Sequence, residues 1–391
     1  MTISHPATST SPSTAQIGEC VRAAGEGGVP LRIEGAGNWL DAGWPVGEAR
    51  PLSLAELTGI VAYTPGDLTL TARAGTSLEE IARITAAERQ WLALDPFGPP
   101  TSTLGATIAT ASAGPLAHAF GTPRDNVLGL EAVTGDGRVV RTGGRVVKNV
   151  AGFDLTRLFT GSWGTLAVIT EATVRLRALP EVDESWALQV SEDAEALDSL
   201  FTQLRSASLD PLAHELVSPA LASRLGVDTG GLATLLLRLG GNEGSVRSQR
   251  RLLPTLAVSA TSPWQGDVWR ALRECEPDHA AVARFSAPVS RMAGTWAAAR
   301  AAAGDSPDAF VHATVGRGVA RCIVRADDDE AMERLLIAAG RFDGTVIFER
   351  LPASVWQRAA RPPAADRLSR GIKLSFDPNN VLNPGILGDR S

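Results

Sequence analysis

Lysine is nearly missing from this chain: of 37 basic residues only Lys148 and Lys373 are lysines, and the rest are arginine. So uniform a bias deprives any single arginine of meaning as a functional footprint. Against 43 acidic residues the net charge is −6, which argues against a broad nucleic-acid surface. Cysteine is scarce too. Cys20, Cys275 and Cys322 are too far apart for a Cys-x-x-Cys zinc site, an iron–sulfur ligand run or a disulfide framework, which suits a reducing cytoplasm. Five histidines stand with no pair at ligand spacing, so no metal is expected. No apolar run reaches membrane-spanning length, so no transmembrane segment is expected. Residues 1–14 lack the basic start and apolar core of a secretory signal and read as a disordered tail.

What is present is ordinary globular material: 391 residues, 44% hydrophobic, with 39 glycines and 24 prolines in no period. That length predicts two domains. Ala15–Gly25 has helical spacing, with Ile17, Val21 and Ala24 on one face. Leu31–Glu34 reads as a strand, and Ser53–Leu57 as a capped helical turn with Glu56 three residues after Ser53. Leu68–Ala74 alternates as a strand, and Thr76 or Ser77 can cap a helix through Leu78, Ile81 and Ile84. Leu94–Thr103 carries too many breakers for a regular element. Asn126–Val133 and Arg138–Arg141 predict a hairpin across Gly135-Asp136-Gly137, and Leu166–Leu176 a further long strand. From Ser185 onward, strands alternate with helices in an α+β layer, and the breaker-rich texture returns at Leu374–Gly388.

Three segments draw attention. Gly35-Ala36-Gly37-Asn38 follows a strand but lacks the third glycine of a dinucleotide fingerprint, and Asp41-Ala42-Gly43-Trp44-Pro45 cannot be the helix that would follow. It reads as an ordinary turn or as a nest of backbone N–H groups for phosphate oxygens. Pro99 to Ala109, with Gly114-Pro115 shortly after, is small and hydroxyl-rich: either a surface loop or backbone that a flat ligand approaches closely. Val147 to Leu158 leads through Gly161 and Gly164 into the strand Leu166–Ala172, which is simple helix–turn–strand packing or a turn beside a bound ring system.

In this order and spacing the three segments resemble the vanillyl-alcohol-oxidase-type (PCMH) FAD-binding family over roughly Gly18 to Pro180. Arg124-Asp125-x-Val127-Leu128-Gly129 and Lys148-Asn149-Val150-Ala151-Gly152-Phe153-Asp154 are most similar to its glycolate-oxidase subunits, and the tail Asp377 to Gly385 resembles the closing motif of the family. The fold so implied is α+β: a PCMH-type two-subdomain FAD-binding domain over residues 15–180, an α+β cap domain with a largely antiparallel sheet over 181–370, and a segment 371–391 returning to the FAD domain. The implied cofactor residues are Gly35, Ala36, Gly37, Asn38 and Trp39 at the pyrophosphate. Pro100, Thr101, Thr103, Leu104, Gly105, Thr107 and Ile108 would run past pyrophosphate and ring, with Gly114, Pro115 and Asp125 beside them. Gly164, Val168 and Ile169 would lie at the adenine end, and Asn383 near the flavin. A branched side chain at Gly105 or Gly164 is expected to fill space the cofactor needs.

The resemblance also implies FAD held non-covalently, because no histidine stands in the first loop and His118 is the nearest candidate. It implies a small 2-hydroxy acid, glycolate or D-lactate, as substrate, and a catalytic FAD subunit and an iron–sulfur subunit as partners. The place expected is the cytoplasm, peripheral at the inner membrane through those partners. A non-catalytic assembly subunit and a self-sufficient oxidase are the alternatives. Relatives that oxidise D-2-hydroxy acids carry a His-x-His-type metal cluster, whereas here His312 stands alone and Gly318–Ala320 offers no second histidine. Arg284, Arg317 and Arg321 are candidate carboxylate clamps with nothing in the sequence to single them out, and the family's closing lysine is replaced by Ile386.

Overall fold

The computed structural model describes residues 12–144, 154–227, 230–256, 262–264, 266–359 and 366–388. Lys148 to Phe153, central to the resemblance, lie outside the described residues. Two compact units divide the chain. The first comprises Met1–Gly114, Phe120–Leu179 and Arg361–Ser391, the second Pro115–Ala119 and Pro180–Ala360.

In the first unit the helix Thr14–Gly27 opens on a capping box, with the Ser13 hydroxyl accepting from Gln16 N–H and the Gln16 side chain accepting from Ser13 N–H. Its buried face is Ile17, Val21 and Ala24, the positions the spacing predicts. Five strands pair antiparallel in the order Ile60–Thr64, Thr69–Arg73, Ala167–Arg175, Val127–Thr134, Val139–Gly143. The predicted hairpin is there, joining Val127–Thr134 to Val139–Gly143. Leu31–Glu34 pairs in parallel with Arg50–Ser53, and Leu382 bridges to Leu31 from the other end of the sequence. Leu70, Ile81, Leu104, Ile108, Phe159, Val174 and Leu382 meet in one apolar core.

At Ser53–Leu57 a single hydrogen-bonded turn forms, with Leu57 N–H donating to Leu54 O at 2.9 Å and Ser53 Oγ accepting from Ala55 N–H at 3.3 Å, but no helix follows. Ser53 itself ends the strand paired with Glu34, and Leu54 N–H continues that pairing by donating to the Glu34 carbonyl at 2.8 Å. Conversely, Leu104–Thr110, read as an irregular small-residue stretch, is a helix whose Thr103 cap accepts from Ala106 N–H.

The second unit is built on a sheet whose described strands pair antiparallel throughout. Their order is Ser262–Pro263, Val182–Val190, Ala233–Gly241, Ala213–Val217, Phe310–Thr314, Val319–Arg325, Ala280–Ser286, Thr345–Arg350. The helices Ala194–Ser206, Met292–Ala303 and Asp329–Arg341 alternate with its strands, as the sequence from Ser185 onward predicts.

Candidate functional site

Where the strand Leu31–Glu34 ends, the turns of 35–40 form one wall of a groove in the first unit. It encloses about 830 Å³ of empty space, its open mouth included. A second wall is Ser102 with the helix Leu104–Thr110. A third is the turn at Trp163-Gly164 with Ala167 and Ile169 of the following strand. Asn383 and Ile386 close one end, over a floor that includes Leu54 and Ala74.

Small residues let these walls meet. A Cβ at Gly35 would lie 2.5 Å from the Thr103 hydroxyl, so the first loop rests directly on the helix cap. The Asn38 side-chain amide donates to Ser102 Oγ at 3.1 Å, joining the same two walls. The turn 161–163 hangs from the far end of the helix, with Gly161 N–H donating to Ile108 O at 3.0 Å and Trp163 N–H to Ala109 O at 2.8 Å. Trp39 and Trp163 meet edge to face, their ring centroids 5.8 Å apart.

The donors facing this space form a coherent set. Ala36 and Gly37 N–H find no acceptor among the described residues. Arg32 Nη1 is buried without a hydrogen-bond partner, while its Nη2 holds the Leu40 carbonyl at 3.0 Å. Burial lowers the Arg32 pKa from its ordinary value, with Glu34 and Asp41 pulling the other way. Ser102 and Thr103 hydroxyls accept from within the chain, so their protons remain for a ligand. Thr107 and Thr110 donate back to the carbonyls of Thr103 and Ala106 and can offer only lone pairs.

Of the residues the resemblance implicated, the groove brings together Gly35, Ala36, Gly37, Asn38, Trp39, Thr103, Gly105, Thr107, Gly164, Ile169 and Asn383. The others lie elsewhere, for geometric reasons. Leu104 and Ile108, four apart on the helix, point into the core, as does Val168, whose strand neighbours Ala167 and Ile169 face the groove. The Pro100 carbonyl accepts from Glu79 N–H, and Thr101 is exposed beside it. Gly114 packs on Asp95, and Pro115 begins the segment that belongs to the second unit. The Asp125 carboxylate caps its own helix by accepting from Thr122 N–H.

The reason expected for Gly105 and Gly164 is also corrected. A Cβ at Gly105 would strike Ala74, and one at Gly164 the Asn383 amide at 2.9 Å, so both face protein rather than open space. Sequence reasoning missed Arg32, Trp163, Ser102 and Ile386. Trp163 had a readable signal, a large aromatic held between Gly161 and Gly164.

Among the described residues, the histidines belong to the second unit. His312, almost fully buried, lies with Nδ1 2.9 Å from Glu215 Oε2, and the Thr314 hydroxyl donates to the same carboxylate. His118 and His214 stack with ring centroids 4.0 Å apart, and His214 Nε2 accepts from Gly316 N–H at 2.8 Å. Burial, aided by His118, drives the His214 pKa down to about 3. No group of three ligating side chains suited to a metal is found among the described residues. Arg321 is held by Glu349 and Glu276, and Arg284 lies 3.5 Å from Glu349, so acids of the chain itself occupy two of the three clamp candidates. Arg317 is exposed and donates to the Ala117 carbonyl.

The chain is similar to several known proteins. A family model described as an FAD binding domain matches residues 9–143. Glycolate oxidase subunit GlcD of Bacillus subtilis is 28% identical over 409 residues, spanning 95% of this chain and 87% of that protein. Glycolate oxidase subunit GlcE of Escherichia coli is 34% identical over 247 residues, 63% of this chain and 64% of that protein. D-lactate dehydrogenase of Archaeoglobus fulgidus is 28% identical over 405 residues, 95% of this chain and 88% of its own length. The crystal structure of p-cresol methylhydroxylase with substrate bound shares the fold, with a TM-score of 0.75 at 17% identity over 96% of this chain and 87% of that one.

Proposed function

We propose that this chain, whose residues 9–143 match a family model described as an FAD binding domain, is an FAD-dependent oxidoreductase acting on the CH–OH group of a small 2-hydroxy acid, glycolate or D-lactate. The observation that carries the reading is the groove. Its side-chain-poor walls, two unclaimed backbone N–H groups and orphaned Arg32 Nη1 fit an elongated dinucleotide with an anionic centre. Arg32, Ala36 and Gly37 would hold the phosphates, Ser102 and Thr103 would donate hydroxyl protons, and Trp39 with Trp163 would shield one flank from water. Among the described residues, those lining the groove include no histidine, cysteine or tyrosine, which supports non-covalent attachment. Held there, FAD would supply the two-electron acceptor that oxidation of the alcohol requires.

The chain works, in this reading, as a subunit of a glycolate-oxidase-like complex beside a catalytic FAD subunit and an iron–sulfur subunit. It is cytoplasmic and reaches the inner membrane through them. The resemblance to GlcD and GlcE supports the assembly, and the three widely spaced cysteines leave electron transfer to a partner. A second reading, a non-catalytic assembly subunit, is favoured by the second unit. There His312 is spent on Glu215, and Arg284 and Arg321 on internal acids.

The purified chain decides between them by its visible spectrum. Yellow protein that releases its flavin on acid precipitation supports non-covalent FAD, and bleaching by glycolate or D-lactate marks catalysis by this chain alone. Yellow protein that bleaches only when the partner subunits are added supports the complex. Colourless protein that takes up no added FAD refutes the cofactor assignment.

A further inference from the structure

We propose that Asn383 is the positioning residue that sets the groove's width, so that FAD affinity runs through one side-chain amide; this rests on the FAD reading above. Asn383 comes from the far end of the sequence yet touches both walls. Its Oδ1 accepts from Ile33 N–H at 2.9 Å on the outgoing strand, and its Nδ2 donates to the Trp163 carbonyl at 2.8 Å on the opposing turn. Its own N–H donates to Leu31 O at 3.0 Å.

The backbone at both ends of this bridge is strained. Asn383 has φ +42° and Trp163 φ +55°, a left-handed conformation that bulky side chains avoid. Two such residues, hydrogen-bonded to each other, persist only where their surroundings hold them. Asparagine suits the post: it tolerates that conformation and offers a donor and an acceptor on a short stem. The amide also lies against Gly164, where a Cβ would come within 2.9 Å of Nδ2.

The segment bearing Asn383 is anchored by other groups. Lys373 Nζ donates to Thr165 O and Leu382 O at 2.9 Å each, and Asp377 accepts from the N–H groups of Val381 and Leu382. Leu31 N–H donates to Val381 O, and Trp44 N–H to Ile386 O. Removing the Asn383 amide therefore cuts the cross-bridge while the segment stays in place.

The test is FAD titration of apoprotein, followed by flavin fluorescence, for wild type, Asn383→Ala and Asn383→Asp between pH 8 and pH 5. Asn383→Ala should weaken FAD about 5- to 30-fold, the effect of one to two hydrogen bonds, with a ratio to wild type that stays flat with pH. In Asn383→Asp a carboxylate faces the Trp163 carbonyl at high pH. Position 383 is only 4% exposed, and burial raises a carboxyl there above its ordinary range. Once protonated, it donates to the Trp163 carbonyl while its other oxygen accepts from Ile33, so its ratio to wild type should approach one as pH falls. That rescue is a readout that a purely structural role would not give, and Asn383→Asp carries the test alone should the alanine variant not fold. Wild-type affinity in both variants, or an Asn383→Asp ratio indifferent to pH, overturns this inference alone. A wild-type chain that binds no FAD overturns the cofactor reading with it.

Discussion

Replacing Gly105 by alanine adds one methyl group where the helix Leu104–Thr110 crosses the end of the strand Thr69–Arg73. The new Cβ would stand 2.6 Å from Ala74 Cβ and 3.0 Å from the Ala74 carbonyl oxygen. That neighbour is backbone and a short side chain, so nothing flexible can give way, and the helix must move. Moving it stretches the bond from Gly105 N–H to Ala74 O, 2.8 Å in the native packing. Overpacking costs about 1–3 kcal/mol and the weakened hydrogen bond about 1 kcal/mol, so the whole amounts to about 2–4 kcal/mol. For a unit of this size, that lowers the apoprotein melting temperature by roughly 4–16 °C. Gly37 supplies the control. Its φ of +84° makes alanine strained, at about 1–2 kcal/mol, but the added Cβ would meet only Leu40 Cδ1 at 3.8 Å. Thermal unfolding of both variants checks the argument. A Gly105→Ala protein that melts with wild type, or a Gly37→Ala protein damaged more than Gly105→Ala, would refute it.

Lys373→Met should destabilise the first unit by about 3–5 kcal/mol, because fully buried Asp377 would lose the ammonium 2.7 Å away. Denaturant unfolding measures this, and an unchanged midpoint would contradict it. His214 gives a pH prediction. Its folded pKa near 3 lies below its ordinary 6.5, so the unfolded chain binds the extra proton between those values. Stability is then fully present above pH 6.5 and falls with acidification, by about 2 kcal/mol between pH 6.5 and 5. His214→Gln keeps an acceptor for Gly316 N–H and should flatten this part of the stability–pH curve; an unchanged slope would assign the proton elsewhere.

Much of the fold is legible in the sequence because its signals are local. Gly135-Asp136-Gly137 predicts a hairpin that forms, and the 3.6-residue spacing of Ile17, Val21 and Ala24 names a buried face that is buried. The α+β class with an antiparallel second sheet is borne out. Legibility fails where a distant partner overrides local preference. Ser53 has a capping pattern, but its pairing with Glu34 makes it strand. At the groove, neighbours in sequence part company in space. Thr103 and Thr107 face the ligand side while Leu104 and Ile108, on the same helix, face the core. A motif read as a string includes both kinds, and only helical and strand periodicity separates them. Arg32 gives no sequence signal among so many arginines, since its distinction is an orphaned nitrogen.

The bond from Ile33 N–H to Asn383 joins residues 350 apart. On a ribosome adding about 5–20 residues per second, the first partner waits roughly 20–70 s for the second. The parallel pair near Leu31 stays unlocked through most of synthesis, although both of its strands are already made. If Asn383 fixes the groove as proposed, flavin loading would have to wait until residue 383 has left the ribosome.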